Sequence, residues 1–125
     1  DEIYLLFQHE YSANFLFTLW KRVRKYGACC TGLTQNVDDL LQSHTARTML
    51  ANSEFLVMLN QAATDRAELA RLLNISDNQL SYITNVDFGR GLIKCGSAIV
   101  PFMDNFPKNR LYRLMSTKLS EQGTS

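Results

Sequence analysis

Residues 27–35 read Gly-Ala-Cys-Cys-Thr-Gly-Leu-Thr-Gln, a short apolar run that closes on two polar side chains. A helix is predicted directly before this run, because apolar residues recur there at helical spacing: Leu16, Leu19, Trp20 and Val23. Gly27 suits the left-handed position that follows a helix. We therefore expect residues 28–33 to form a buried core strand of an α/β domain, with helices packed against it.

Capping residues predict where the neighbouring helices begin and end. Ser12 is the expected N-cap of the first helix, and Ser43 that of a later helix ending at Asn52. A helix pair is expected over residues 65–84. Its second helix would open on a capping box, because Gln79 follows Ser76 at the required spacing.

Apolar runs predict the remaining strands. Residues 54–59, Glu-Phe-Leu-Val-Met-Leu, indicate a second buried strand. Residues 91–95 and 98–102 flank Gly96-Ser97, which predicts a hairpin with a type II′ turn. Pro101 places the second hairpin strand at a sheet edge, or ends it there. Residues 111–115 are expected to form one last strand or turn.

Composition narrows the classes of function. The 125 residues make one domain at most, and a 46% apolar content suits a globular core. The net charge of +1 gives no bulk attraction to nucleic acid or membrane, although residues 21–25 concentrate four of the 13 basic residues. Three cysteines without a C-x-x-C spacing argue against a disulfide scaffold or a zinc site. No stretch reaches the ~20 apolar residues of a membrane span.

Two patterns that suggest ligand sites are rejected. Residues 27–34 nearly match the phosphate-loop pattern G-x-x-x-x-G-K-[ST], but Leu33 replaces the lysine that contacts the phosphates. A phosphate loop also follows a strand, whereas this run follows a helix. His9 and His44 have no partner at metal-ligand spacing, so we expect neither to bind a metal.

A third constellation combines acidic, basic and amide side chains. In phosphoryl-transfer sites one carboxylate positions Mg²⁺ and another polarises the attacking water, and the chain opens on Asp1 and Glu2. A polar residue that ends a neighbouring strand can contact the γ-phosphate, and Gln35 holds that position. An arginine presented to the next subunit can offset transition-state charge, which draws attention to Arg24.

Taken in order, these segments resemble a known family. The segments that carry the resemblance are the acidic pair Asp1-Glu2, residues 21–27 (Lys-Arg-Val-Arg-Lys-Tyr-Gly), 32–41 (Gly-Leu-Thr-Gln-Asn-Val-Asp-Asp-Leu-Leu), 49–53, Leu80 in the turn from Ser76, 89–93, Pro101-Phe102, and 111–117. The set is similar to the C-terminal portion of the conjugative-transfer (type IV secretion) ATPases, in the FtsK–HerA branch of RecA-like P-loop motors. The similarity runs from Asp1 to about Thr117.

The resemblance implies a fold and a domain division. Residues 1–117 would be the second half of a RecA-like ATPase domain, with residues 118–125 as a polar, flexible tail. The order would be a helix, a core strand, helices, a strand, the helix pair and the β-hairpin. The Walker A strand and loop are absent, so the chain alone is not expected to bind or hydrolyse ATP. Apolar surface is expected to be exposed, or covered by dimerisation.

The resemblance also implies roles for single residues. Asp1 and Glu2 would be the Walker B acids, Asp1 toward Mg²⁺ and Glu2 toward the hydrolytic water. Thr34 and Gln35 would contact the nucleotide, with Gln35 as the γ-phosphate sensor. Arg24 would be the arginine finger that reaches a neighbouring subunit, with Arg22 and Lys25 as alternatives.

Cofactors and partners follow from the same resemblance. The parent protein would use ATP and Mg²⁺, assemble as a homo-oligomer (a hexamer in the family), and work with other secretion or conjugation components at the cytoplasmic face of the membrane. Direct contact with DNA is left open. Two alternative functions also stay open. One is a stand-alone DNA- or protein-binding module using the helix pair 65–84 and the basic run 21–25, and the second is a purely structural subunit.

Overall fold

A three-stranded antiparallel sheet and six α-helices make up the described part of the computed structural model, residues 2–35 and 37–116. The helices are α1 (Glu10–Arg22), α2 (Val37–Leu41), α3 (His44–Ala51), α4 (Ala63–Leu73), α5 (Asp77–Leu80) and α6 (Arg110–Met115). The strands are β1 (Phe55–Met58), β2 (Arg90–Cys95) and β3 (Ala98–Met103). Three 3₁₀ helices cover Ile3–Phe7, Val23–Tyr26 and Ser81–Ile83.

The first long helix is confirmed, but it begins earlier than predicted. The N-cap of α1 is His9, not Ser12. The Ser12 hydroxyl donates instead to the backbone oxygens of Leu6, at 2.6 Å, and His9, at 3.0 Å. It therefore fastens α1 to the 3₁₀ helix before it. Gly27 ends the second 3₁₀ helix with φ +69°, the left-handed conformation expected after a helix.

The core strand expected at residues 28–33 does not form. This segment is irregular and mostly exposed. Between described residues its backbone makes two hydrogen bonds, one at each end: Ala28 N–H donates to Val23 O at 3.1 Å, and Ile3 N–H donates to Leu33 O at 2.9 Å. A strand needs a hydrogen-bonded neighbour along its length, and β1, β2 and β3 pair only with one another.

The strand expected near residues 54–59 is confirmed as β1, but its predicted burial is wrong. Phe55 and Val57 are 68% and 63% exposed, and only Met58 is buried. Phe55 and Val57 are exposed because β1 is an edge strand in the order β1-β2-β3 and has only one face on the core.

The hairpin is confirmed in its strands and its turn. β2 and β3 pair from Arg90↔Met103 to Cys95↔Ala98, around Gly96-Ser97. Gly96 has φ +57° while Ser97 does not have a positive φ, which fits the type II′ turn. Pro101 lies on β3, the other edge strand of the sheet. Proline has no backbone N–H, and an edge strand tolerates this because only one of its sides is hydrogen-bonded to a neighbouring strand.

Two of the remaining local predictions are confirmed and one is wrong. Ser43 caps α3 by accepting from Ala46 N–H, and Ser76 forms the capping box of α5 with Gln79. The strand or turn expected at residues 111–115 is instead the helix α6. Its N-cap Asn109 accepts from the Tyr112 N–H at 3.0 Å, a capping signal that favours a helix. The tail expected at 118–125 lies outside the described residues.

The hydrophobic core lies between one face of the sheet and helices α2 and α4. Its buried members are Val37, Leu41, Met58, Leu69, Leu73, Ile75, Ile83 and Leu92. Leu41, Ile83 and Leu92 are almost completely buried. The core therefore fixes the start of α2 at Val37. No helix within residues 2–35 and 37–116 is long and apolar enough to span a membrane.

Candidate functional site

The candidate site is built where the opening of the chain meets the segment that ends at Gln35. Asp1 lies outside the described residues. Glu2 is half-buried and stands in a left-handed conformation, with φ +49° and ψ +48°, directly before the first 3₁₀ helix. Non-glycine residues seldom adopt this conformation, so the neighbouring contacts must hold Glu2 in place.

A backbone hydrogen bond joins the two halves of the site. The Ile3 N–H donates to Leu33 O at 2.9 Å, so the residue after Glu2 lies beside the residue before Thr34. Gly32 makes this approach close, because a Cβ added there would lie 2.5 Å from Ile3 Cδ1 and 3.5 Å from Trp20 Cη2. Thr34 is half-buried and Gln35 is exposed. The structure thus places Glu2, Thr34 and Gln35 on neighbouring segments.

A small cavity of about 200 Å³ lies behind this junction. Its lining consists of Ile3, Leu6, Leu16, Trp20, Cys30, Thr31 and Gly32. These lining residues include no cationic side chain. The cavity therefore offers no positive charge to a phosphate group, and its apolar side chains pack behind the junction.

Arg24 lies on the second 3₁₀ helix, on a different segment from Gln35. Arg24 is exposed, and its side chain forms no hydrogen bond or ion pair with another described residue. The Lys21 ammonium lies 4.1 Å from the Phe17 ring centroid, and that of Lys25 lies 5.7 Å from the Tyr26 ring centroid. Arg24 is therefore open to a molecule outside the chain, while the two lysines lie over aromatic rings of their own segment.

Sequence reasoning missed Arg47, which positions the helix after Gln35. Arg47 Nε donates to Leu41 O at the end of α2, and Arg47 Nη2 forms a 3.0 Å ion pair with Glu68 Oε2 on α4. One side chain on α3 therefore ties α2 to α4. No local pattern could predict the pair, because its members are 21 residues apart.

The predicted helix pair is confirmed as α4 and α5, and its second helix offers little to DNA. α5 spans only four residues, and a 3₁₀ turn follows it. Neither α5 nor that turn carries a basic residue, so phosphate contacts would have to come from elsewhere. Within the described ranges, no group of three or more His, Cys, Asp or Glu side chains could hold a metal ion.

Comparison with known proteins gives a likeness to a solved structure. No protein-family model and no curated protein matches the chain. Among solved structures, VirB4 of Thermoanaerobacter pseudethanolicus is similar, with a TM-score of 0.77 and 26% sequence identity over 86% of this chain. The chain spans 30% of the length of that VirB4 chain. The mixed α/β fold matches part of that structure, and the likeness relates the chain to VirB4-like ATPases.

Proposed function

We propose that this chain is part of a type IV secretion ATPase that couples ATP hydrolysis to the transfer of DNA or protein across the cell envelope. The observation that carries the proposal is the Ile3–Leu33 hydrogen bond, because it sets Ile3, the residue after Glu2, beside Leu33, the residue before Thr34. The likeness to VirB4 over 86% of the chain supports the same class of protein.

The donor set of the site fits a magnesium nucleotide. Carboxylate oxygens are the hard ligands that Mg²⁺ prefers, and a threonine O–H or a glutamine amide N–H can donate to a phosphate oxygen. Asp1 would hold the Mg²⁺ of a bound ATP, and Glu2 would orient and polarise the attacking water. Thr34 and Gln35 would donate hydrogen bonds to the γ-phosphate. A bound Mg²⁺ would neutralise phosphate charge, and these side chains would position the reacting groups.

The remaining parts of a RecA-like core would come from sequence outside residues 1–125. β1 is an edge strand whose outer side pairs with no described strand, so further strands can add to the sheet there. A phosphate loop carried by the added part would then grip the nucleotide. Arg24 would act in a neighbouring subunit's site, within a homo-oligomer at the cytoplasmic face of the membrane that works with other secretion components.

The test uses ATP turnover by the full-length protein that contains this chain. Gln35→Ala is expected to lower turnover about 10²-fold or more, because one preordered donor to the developing charge is lost. Gln42→Ala is the matched control, since Gln42 is also exposed but directly follows α2, beyond the site. Equal turnover in Gln35→Ala and the unmodified protein would contradict the proposal.

A further inference from the structure

The outward face of α1 carries an apolar stripe that nothing in the described chain covers. The outer stripe consists of Tyr11, Phe15 and Leu19, which follow one another at a spacing of four residues and so share a face. Tyr11 is 87% exposed and Phe15 is 64% exposed. The opposite face of α1, with Ala13 and Leu16, is buried, and α1 packs against the first 3₁₀ helix and α3. The outer stripe is therefore not part of the core.

Basic side chains without an anionic partner follow the outer stripe along the chain. The basic cluster consists of Lys21, Arg22, Arg24 and Lys25, all exposed at the C-terminal end of α1 and on the 3₁₀ helix that follows. Arg47–Glu68 is the ion pair formed among the described residues, so none of these four cations is paired within that part of the chain. Apolar surface beside unpaired cations is the composition of a docking surface for an anionic, partly apolar partner.

The surface formed by the first 3₁₀ helix, Leu33 and the start of α2 has the complementary composition. There, Leu5, Leu6 and Leu33 are exposed, and the carboxylates of Asp38 and Asp39 are exposed in the first turn of α2. We call this set the Leu33 edge. Its members lie together because Ile3 N–H bonds to Leu33 O and because α2 packs against the first 3₁₀ helix. The buried inner face of α1 packs on this 3₁₀ helix, so the Leu33 edge and the outer stripe point in different directions.

We propose that the outer stripe and the basic cluster of one copy dock on the Leu33 edge of a second copy of this chain. The apolar residues would cover one another, while Lys21 and Arg22 would face the carboxylates of Asp38 and Asp39. Because the two surfaces differ, the contact is head-to-tail, and repeating it closes a ring if the rotation allows. This inference rests on the proposed function, since the same contact would carry Arg24 toward the neighbour's Gln35.

The test is association measured by sedimentation velocity on the full-length protein, using two charge-reversed variants. Lys21→Glu with Arg22→Glu alters the basic cluster, and Asp38→Lys with Asp39→Lys alters the Leu33 edge. Each variant alone is expected to associate about tenfold more weakly or worse, because like charges then face one another. An equimolar mixture is expected to recover association, since each altered surface then meets its complement.

A matched control separates this contact from a general effect of charge. Asp77→Lys with Asp87→Lys makes the same charge change on exposed residues outside the Leu33 edge and is expected to leave association unchanged. Phe15→Ser is expected to weaken association about tenfold without altering the circular-dichroism spectrum. Folded variants that associate normally when tested singly, or that fail to recover when mixed, would overturn the inference.

The same measurements separate the contact from nucleic-acid binding and from the proposed function. Association that appears only with an added single-stranded oligonucleotide, is lost in Lys21→Glu with Arg22→Glu, and does not recover on mixing would overturn the inference in favour of a nucleic-acid surface. Recovery on mixing without any ATP turnover would support the contact and contradict only the proposed function. Turnover that depends on Gln35, without recovery on mixing, would leave the proposed function standing and remove the contact.

Discussion

Ile3 and Leu33 are joined by a backbone hydrogen bond of 2.9 Å, across a stretch of chain that includes the whole of α1. Through this bond, the segment that follows α1 lies beside the segment that precedes it. Its consequence is chemical, because Glu2 then lies on a segment that neighbours the polar pair Thr34-Gln35. The proposed nucleotide site depends on this bond.

Gly32 is expected to be needed for that close approach. Gly32→Val would place a branched side chain against Ile3 Cδ1, which lies 2.5 Å from the position of the new Cβ. We expect the free energy of unfolding to fall by about 1–2 kcal/mol, a modest cost because the end of the Ile3 side chain can move. Denaturant unfolding measures the change. Adding Ile3→Ala should recover part of the loss, and an equal loss with and without Ile3→Ala would contradict this packing.

Gly91 is expected to tolerate substitution even less. A Cβ on Gly91 would clash with the backbone oxygen of Met58, on the neighbouring strand β1, and a backbone atom cannot move aside as a side chain can. Gly91→Ala should therefore lower the free energy of unfolding by about 3 kcal/mol or more. Ser97→Ala, in the exposed hairpin turn, is the control and should change it by less than about 0.5 kcal/mol. Similar denaturation midpoints for the two variants would show that β1 and β2 do not pair in this register.

These two glycines show the limit of what the sequence could predict. Local signals were sufficient for the capping box at Ser76 and for the turn at Gly96-Ser97, because the residues that decide them are neighbours in sequence. The prediction of a strand at residues 28–33 was wrong, because a strand depends on distant partners that no local pattern identifies. The same holds for β1, whose apolar run gave no sign that Phe55 would be exposed at a sheet edge.

Arg47 illustrates the same limit for the site. Its two partners, Leu41 O and the carboxylate of Glu68, are brought to it only by the packing of three helices. The acidic pair, Thr34 and Gln35 could be singled out from the sequence because the residue types and their order suggested phosphoryl transfer. That the segment of Glu2 neighbours the segment of Thr34 and Gln35 came from the fold.

Arg47 is expected to contribute more to stability than its ion pair does. The two paired side chains are each 41% exposed, so the charge interaction itself should be worth less than about 1 kcal/mol. Arg47→Met also removes the donor to Leu41 O, and it should cost about 1–2 kcal/mol, whereas Glu68→Gln should cost less than about 1 kcal/mol. Urea unfolding of both single variants and of the double variant gives the coupling free energy between Arg47 and Glu68. A larger loss for Glu68→Gln than for Arg47→Met would contradict this order.

The outer face of the sheet is expected to bind apolar molecules in the 125-residue chain. The strand register places Phe55, Val57, Ile93 and Val100 on one face, and three of these are largely exposed. Val57→Thr with Val100→Thr should lower the fluorescence of an apolar dye bound to the native chain, with little change in unfolding free energy. Thr substitutions at two exposed strand positions preserve β-branching, so the fold should persist. Unchanged dye fluorescence would show that this face does not bind the dye.

The most direct measurement of the central claim is ATP turnover by the full-length protein carrying Glu2→Gln. We expect a loss of about 10²-fold or more with ATP binding retained, because the amide cannot accept the proton of the attacking water. Glu54→Gln makes the same chemical change on an exposed glutamate beside β1 and should turn over ATP at the unmodified rate. Turnover by Glu2→Gln equal to that of Glu54→Gln would contradict the assignment of this edge as the hydrolytic site.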